Sequence, residues 1–247
     1  MIESMTKRRT IRRYTDRKIS DDLLLRLLND ASHAPTMGNM QLYSVVVTRN
    51  IEGKKALAPA HYNQLMIENA SAVLTFCADF HRFTEYCKRR EASAGYDNFL
   101  SFLNAATDTL LYVQSFCTLA EDEGLGTCFL GTTIYNSEQI IKILHLPELT
   151  FPIATITVGY PDESPEMSDR LPLKGIIHYE NYKDYTTETL NKIYAYKESL
   201  PENLQFIKEN NKKTLAQVFT DVRYTKEDNE SISRNLITAL KKQKFIK

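Results

Sequence analysis

The 247-residue sequence predicts an α+β fold, and three observations carry that prediction. Apolar runs rich in β-branched residues at Tyr43–Thr48, Ala72–Ala78 and Ile153–Val158 read as short buried strands. The stretch from Asp97 to Glu123 holds neither Gly nor Pro and ends at Gly124, the pattern of one long helix with a stop. Around these, helical and strand patterns alternate irregularly. A chain of this length buries a sizeable core, and one domain with an appendage is expected.

Taken in order, the chain opens with Arg8-Arg9-Thr10-Ile11-Arg12-Arg13-Tyr14, a local positive field in a protein with 31 basic and 31 acidic residues and no net charge. Guanidinium groups stay protonated and present a planar fork of donors, so the run suits a bound phosphate; a solvated basic helix or a targeting segment fits the same residues. Ser20 caps a helix whose apolar face is Leu23, Leu24, Leu27 and Leu28 and which ends before Pro35. The turn formers Ala34 to Gln41 feed the strand at Tyr43. The middle of the long helix is apolar on more than one face, through Leu100, Phe102, Leu103, Leu110, Leu111, Val113 and Phe116, which a domain core or a subunit interface would bury. Leu125 to Thr132 is a short apolar segment bounded by glycines, followed by a helix capped at Ser137 with Ile140, Ile141, Ile143 and Leu144 on one side. Gly159 and Pro161 close the third strand. Polar and aromatic helices follow at Glu188–Ser199 and Lys226–Lys244, the latter capped by Thr225 and carrying the stripe Ile232, Leu236, Ile237 and Leu240. The basic end, Lys241 to Lys247, reads as solvated.

Zero net charge gives no bias toward nucleic acid or an anionic membrane surface. No apolar stretch is long enough to span a bilayer and no signal-peptide core follows the first residues, so a cytoplasmic protein is expected. Cys77, Cys87, Cys117 and Cys128 form no CxxC pair, and His33, His61, His81, His145 and His178 show no metal-ligand spacing, which argues against disulfides and a metal. Gly124 and Gly126 are followed by Phe129 where GxGxxG needs a third glycine, and neither a Walker A sequence nor a GxSxG elbow occurs. Asp79 and His81, at a strand end, read as a hydrogen-bonded structural pair ahead of an acid–base pair.

Four segments in order then carry a resemblance to the FMN-dependent nitroreductase and flavin reductase family. Arg8 to Tyr14 resembles its RRSIRxF signature, and Ala34-Pro35-Thr36-Met37-Gly38-Asn39-Met40-Gln41 its APSSxNxQ loop. Gly124 to Gly131 is similar to its GLGxxxxG turn, and Val158-Gly159-Tyr160-Pro161 with Arg170-Leu171-Pro172 to its closing GYP and RLP pair. The resemblance covers roughly residues 1 to 182 and implies a central mixed, mainly antiparallel sheet flanked by helices. It implies a core at 1–182, a helical arm at 183–247 as in the larger members, and an intertwined homodimer with the flavin at the subunit interface.

The site it implies holds FMN. Arg8, Arg12 and Arg170 would take the phosphate, Arg9 and Thr10 the ribityl chain, and Pro35, Thr36 and Met37 one ring edge. Asn39 and Gln64 match positions that bond the flavin or face its pocket, and Leu130, Gly131 and Thr132 would present main-chain N–H groups near N5. Arg13 is left as a structural or interface residue. NAD(P)H would deliver hydride and a nitroaromatic, quinone or free flavin would take it in a second half-reaction, with no catalytic side chain and no metal. A dedicated flavin reductase, or a flavin-binding redox sensor or electron carrier without small-molecule turnover, are the alternatives. Two departures stand out: Ser168 occupies a position that is often Lys, and Met37 and Gly38 replace hydroxyl residues, which bears on flavin potential and substrate range.

Overall fold

In the computed structural model, which describes residues 3–247, the chain divides into two compact units: residues 3–166 with Arg234–Lys247, and Met167–Ser233. The first unit runs α1 (Glu3–Thr6), α2 (Asp21–Ala31), β1 (Tyr43–Thr48), α3 (Ile51–Leu57), α4 (Met66–Asn69), β2 (Ala72–Asp79), α5 (His81–Lys88) and α6 (Phe99–Asp122). It continues with β3 (Gly126–Leu130), α7 (Thr132–Tyr135), α8 (Ser137–Ile143) and β4 (Thr150–Gly159). The four strands form one antiparallel sheet in the order β1-β2-β4-β3, with Tyr43 opposite Ala78, Leu74 opposite Ile156 and Phe129 opposite Ile156.

Every residue of β2 and β4 is buried, so both strands carry apolar residues on both faces, with Thr75, Thr155 and Thr157 buried among them. Leu74, Phe76, Ala154 and Ile156 pack with Leu24 and Leu27 of α2 and Val113 and Phe116 of α6. Val73, on the opposite face of β2, packs with Leu57, Ile67, Leu130 and Ile140. Helices thus cover both faces of the central strands.

The caps follow the side chains available. Ser20 Oγ accepts from Leu23 N at 3.2 Å, and Asn98 Oδ1 accepts from Ser101 N at 3.0 Å to start α6. Ser137 is the first residue of α8 and not its cap, because α7 brings the chain to Asn136 already coiled. Asp79 takes the hydroxyl of Ser44 and, at 3.0 Å, the amide of Arg82 in the first turn of α5; these are its partners where the sequence suggested His81. The long helix buries Ala105, Asp108, Tyr112, Val113 and Phe116, while Phe99, Leu100, Leu103, Leu110 and Leu111 stay exposed.

The second unit holds α9 (Thr187–Ser199), α10 (Pro201–Glu209), α11 (Leu215–Val218), a single π-helical turn at Phe219–Arg223 and the start of α12 (Lys226–Lys242). Thr186 and Thr225 cap α9 and α12 through the amides of Thr189 and Asp228. Lys197 pairs with Asp169 at 2.9 Å, and Ile193 sits under Gly175.

The chain rejoins the first unit within α12. Leu236, Ala239 and Leu240 pack there with Leu42, Phe80 and Phe151, whereas Ile237 remains exposed. The basic end is anchored and not merely solvated: Phe245 is fully buried, Gln243 O accepts from Leu149 N at 2.9 Å, and Lys242 pairs with Glu138 at 2.7 Å.

Candidate functional site

The arginine segment lies along β3. Thr10 bridges Thr127 in parallel, Ile11 N donates to Thr127 O at 3.0 Å, and Tyr14 bridges Pro161. Two buried side chains pin it. Ile11 sits so close to Gly126 that a Cβ there would lie 2.6 Å from Ile11 Cβ, and a Cβ on Gly159 would lie 2.8 Å from the Tyr14 ring. Glycine is required at both positions by this close approach. Tyr14 Oη bonds Ile11 O at 2.8 Å and Thr157 Oγ1 at 2.8 Å. Glu163 accepts the amides of Arg12 at 2.5 Å and Arg13 at 3.0 Å and pairs with Arg13 Nε at 3.3 Å. Those amide bonds hold its carboxyl below the ordinary Glu range.

Alternate residues of this segment open on different cavities, as expected for extended backbone. Arg8 lines a cavity of about 230 Å³ with Leu110, Gln114, Thr127 and Phe129. Arg9 and Ile11 line another, of about 320 Å³, with Lys7, Pro161 and Glu163, and Arg9 Nε is buried there without a partner. Arg8 Nη2 donates to Thr10 Oγ1 at 3.2 Å, and its Nη1 lies 3.6 Å from Glu121. Burial raises the Glu121 pKa, while the Thr127 hydroxyl and the Arg8 charge oppose the rise. Arg12 and Arg8 both lower the pKa of Cys128, opposing a larger upward push from burial, so the two guanidinium groups act on the same stretch of β3.

The loop before β1 is built on one carboxylate. Asp108, buried on α6, accepts from Thr36 Oγ1 at 2.6 Å, Met37 N at 2.9 Å and Leu42 N at 3.3 Å. Thr36 Oγ1 in turn accepts from Gln41 N at 2.9 Å, and Gln41 Nε2 donates to Asn39 Oδ1 at 2.6 Å. Arg82 donates to Tyr43 O and Gln41 O from the other side. Pro35, Thr36, Met37 and Asn39 are thereby held in one fixed turn, with Met37 exposed. One helix, α6, joins this loop through Asp108 to the Arg8 cavity through Leu110 and Gln114.

Gln64 and the turn Leu130-Gly131-Thr132 meet through His61. Its Nδ1 lies 2.7 Å from Thr132 Oγ1, and its carbonyl accepts Gln64 Nε2 at 3.0 Å. Gly131 is exposed, and a Cβ there would meet nothing within 4 Å. Burial pushes the His61 pKa from 6.5 down to about 4. The unfolded chain then binds the extra proton first, so this residue's contribution is present above pH 6.5 and is lost as pH falls toward 4. Between pH 7 and 5 it should remove about 2 kcal/mol of stability, and urea unfolding of His61→Asn should lack that part of the slope.

Arg170 lies in the second unit, exposed, with Nη1 turned onto the carbonyls of Ser168 at 3.1 Å and Asp169 at 2.8 Å. Within the first unit the structure gathers Arg8, Thr10 and Arg12 along β3, whose end is the Leu130–Thr132 turn; Thr36, Met37 and Asn39 on Asp108; and Gln64 on His61. Asp108, His61 and Glu163 are the organising residues that the motifs did not name. Only Asp108 had a legible signal, as the single charge between Phe99 and Ala120.

The Nitroreductase family profile matches residues 5–160. The chain is 30% identical over 207 residues to an FMN reductase [NAD(P)H] of Bacillus subtilis (strain 168), covering 82% of each chain. It is 28% identical over 201 residues to the oxygen-insensitive NADPH nitroreductase of Salmonella typhimurium, covering 81% of each. A crystal structure from Bacteroides fragilis NCTC 9343, provisionally described as an oxidoreductase, superposes with a TM-score of 0.98 at 62% identity, covering 99% of this chain and 100% of that one.

Proposed function

Because the chain belongs to the nitroreductase family, we propose that it is an FMN-dependent oxidoreductase that takes electrons from NAD(P)H and passes them to small oxidised acceptors. The observation that carries this reading is the Arg8–Arg12 segment laid along β3 through Thr10 and Ile11, on a strand that runs into the exposed Gly131. The donor set fits FMN. Two cations suit a dianionic phosphate, and the uncrowded face of Gly131 suits close approach of a flat ring.

Bound FMN would supply the redox chemistry, carrying two electrons from a nicotinamide to a second substrate. The chain's part is to bind and orient. Arg8 and Arg12 neutralise the phosphate, while Thr10 and the main chain of Arg9 follow the ribityl chain, since the Arg9 side chain opens on the other cavity. Pro35, Thr36, Met37 and Asn39, on the loop that Asp108 holds, and Gln64, held by His61, would take the ring. Main-chain N–H groups of Leu130, Gly131 and Thr132 offset negative charge on the reduced ring. Arg170 is joined to the phosphate by the sequence resemblance alone.

Nitroaromatics, quinones and free flavins are the acceptors proposed. The name of the B. subtilis relative favours free FMN as a second reading, that of a dedicated flavin reductase. We also propose a homodimer: Phe99, Leu100, Leu103, Leu110 and Leu111 form an apolar stripe on α6 that a second copy would cover, aided by the arm from residue 183 to residue 233, the end of the chain being packed in its own first unit. Among the described residues no helix is long and apolar enough to cross a membrane. Four free, buried cysteines suit the reducing cytoplasm, where we place the protein.

The test begins with the absorption spectrum of the purified protein, with and without added FMN, followed by NAD(P)H oxidation with nitrofurazone, menadione and free FMN. Bound flavin without turnover would identify a sensor or carrier; a protein that FMN cannot turn yellow would sink the reading. Arg12→Ala and Arg170→Ala should each weaken FMN retention about tenfold or more, the loss of one charge-assisted bond. Lys244→Ala should leave retention unchanged, and equal losses in all three would defeat the site assignment.

A further inference from the structure

His61 touches two segments that approach the site from different parts of the chain. Its carbonyl holds both the amide of Gln64, at 3.2 Å, and the Gln64 side chain, at 3.0 Å, while its ring reaches Thr132 Oγ1 at 2.7 Å. Neighbouring bonds stiffen the junction: Asn136 Nδ2 donates to Ala60 O at 2.8 Å, and Thr133 Oγ1 donates to Leu130 O at 2.8 Å. The residue is fully buried, and its Nε2 has no partner.

That orphaned nitrogen decides the tautomer. A proton on Nε2 would bury an unpaired N–H, whereas a proton on Nδ1 leaves only an unused lone pair and lets Nδ1–H donate to Thr132 Oγ1. Thr132 Oγ1 then accepts from His61, so its own proton is free for another acceptor. Thr132 is half-buried at the start of α7, beside exposed Gly131.

We propose that His61 is a positioning residue that fixes the Leu130–Gly131–Thr132 turn against Gln64 and turns the Thr132 hydroxyl into a hydrogen-bond donor toward the reduced flavin, raising its reduction potential. This rests on the FMN reading given above. It assigns to a buried imidazole a function in cofactor tuning that requires no charge on the ring.

The experiment measures the FMN dissociation constant by flavin fluorescence and the midpoint potential of the FMN-loaded protein, for wild type, His61→Phe, His61→Asn, Thr132→Val and the double variant His61→Phe with Thr132→Val. His61→Phe and Thr132→Val should each lose about tenfold of the preference for reduced over oxidised FMN, which is about 30 mV for a two-electron couple. The double variant should shift no further than either alone. His61→Asn, whose amide can replace Nδ1–H, should restore most of the wild-type potential. FMN-loaded variants at the wild-type potential, additive shifts in the double variant, or no rescue by Asn would each overturn the proposal. Thr132→Val, at a half-buried site, carries the test if His61→Phe does not fold. Failure of the wild type to bind FMN at all would instead overturn the functional reading itself.

Discussion

Gly126→Val is expected to lower stability by about 3 kcal/mol and to weaken FMN binding in the same protein. A Cβ at this position lies 2.6 Å from both Cβ and Cγ1 of Ile11, so the contact is with the root of a side chain and not with a flexible tip. Ile11 is buried, and its amide is tied to Thr127 O, so it can yield only if the arginine segment leaves β3. Stability and ligand binding are therefore coupled through one contact. Urea denaturation paired with an FMN fluorescence titration would check both. Ile11→Ala should rescue Gly126→Val only in part, because the Cβ–Cβ clash survives it. Gly131→Ala provides the contrast. Its backbone is ordinary right-handed helical and a Cβ there meets no protein atom, so stability should change by less than about 0.5 kcal/mol while FMN affinity falls. If Gly126→Val kept full stability, the packing account of the glycine turn would be wrong.

Asp108→Ala is expected to cost about 3 kcal/mol or more, since it strands three donors of one loop: the Thr36 hydroxyl and the amides of Met37 and Leu42. The loss should appear locally as well as globally. Hydrogen exchange at residues 36–42 should accelerate more than at β2, and FMN affinity should drop because Pro35 to Asn39 no longer hold one shape. Asp108→Asn, which keeps one accepting oxygen, should fall between wild type and Ala. Unchanged exchange in the loop of Asp108→Ala would remove Asp108 from the site's framework.

The elements with a strong period or unbroken apolar run were legible in the sequence: β1 at Tyr43–Thr48, the body of β2 and β4, α2 behind Ser20, and α6 up to Gly124. The region between Ile51 and Lys88 was not, beyond its strand. Its helices are short, and their buried faces carry polar residues whose partners come from tertiary structure. Lys54 is buried yet donates to the carbonyls of Glu68 and Ala70, and His61 is buried yet reaches Thr132. Hydrophobic patterning cannot register such residues, because their burial depends on a partner brought in by folding. The same reason hid Glu163, whose carboxylate serves main-chain amides about 150 residues away. The motifs named candidates for facing a ligand, while the residues that hold those candidates in place, Asp108 apart, became visible only with the fold.

The two-sided opening of the arginine segment sets an arithmetic rule for its length. Arg8 and Arg12 are separated by an even number of steps, and the anchors Ile11 and Tyr14 fix the phase of the strand between them. Changing a side chain alters one contact, but adding or deleting one residue between Arg8 and Ile11 would exchange the occupants of the two cavities, turning Arg8 toward the Lys7 and Arg9 side and bringing Arg9 or Lys7 to where Arg8 belongs. The segment should therefore vary in composition far more readily than in length.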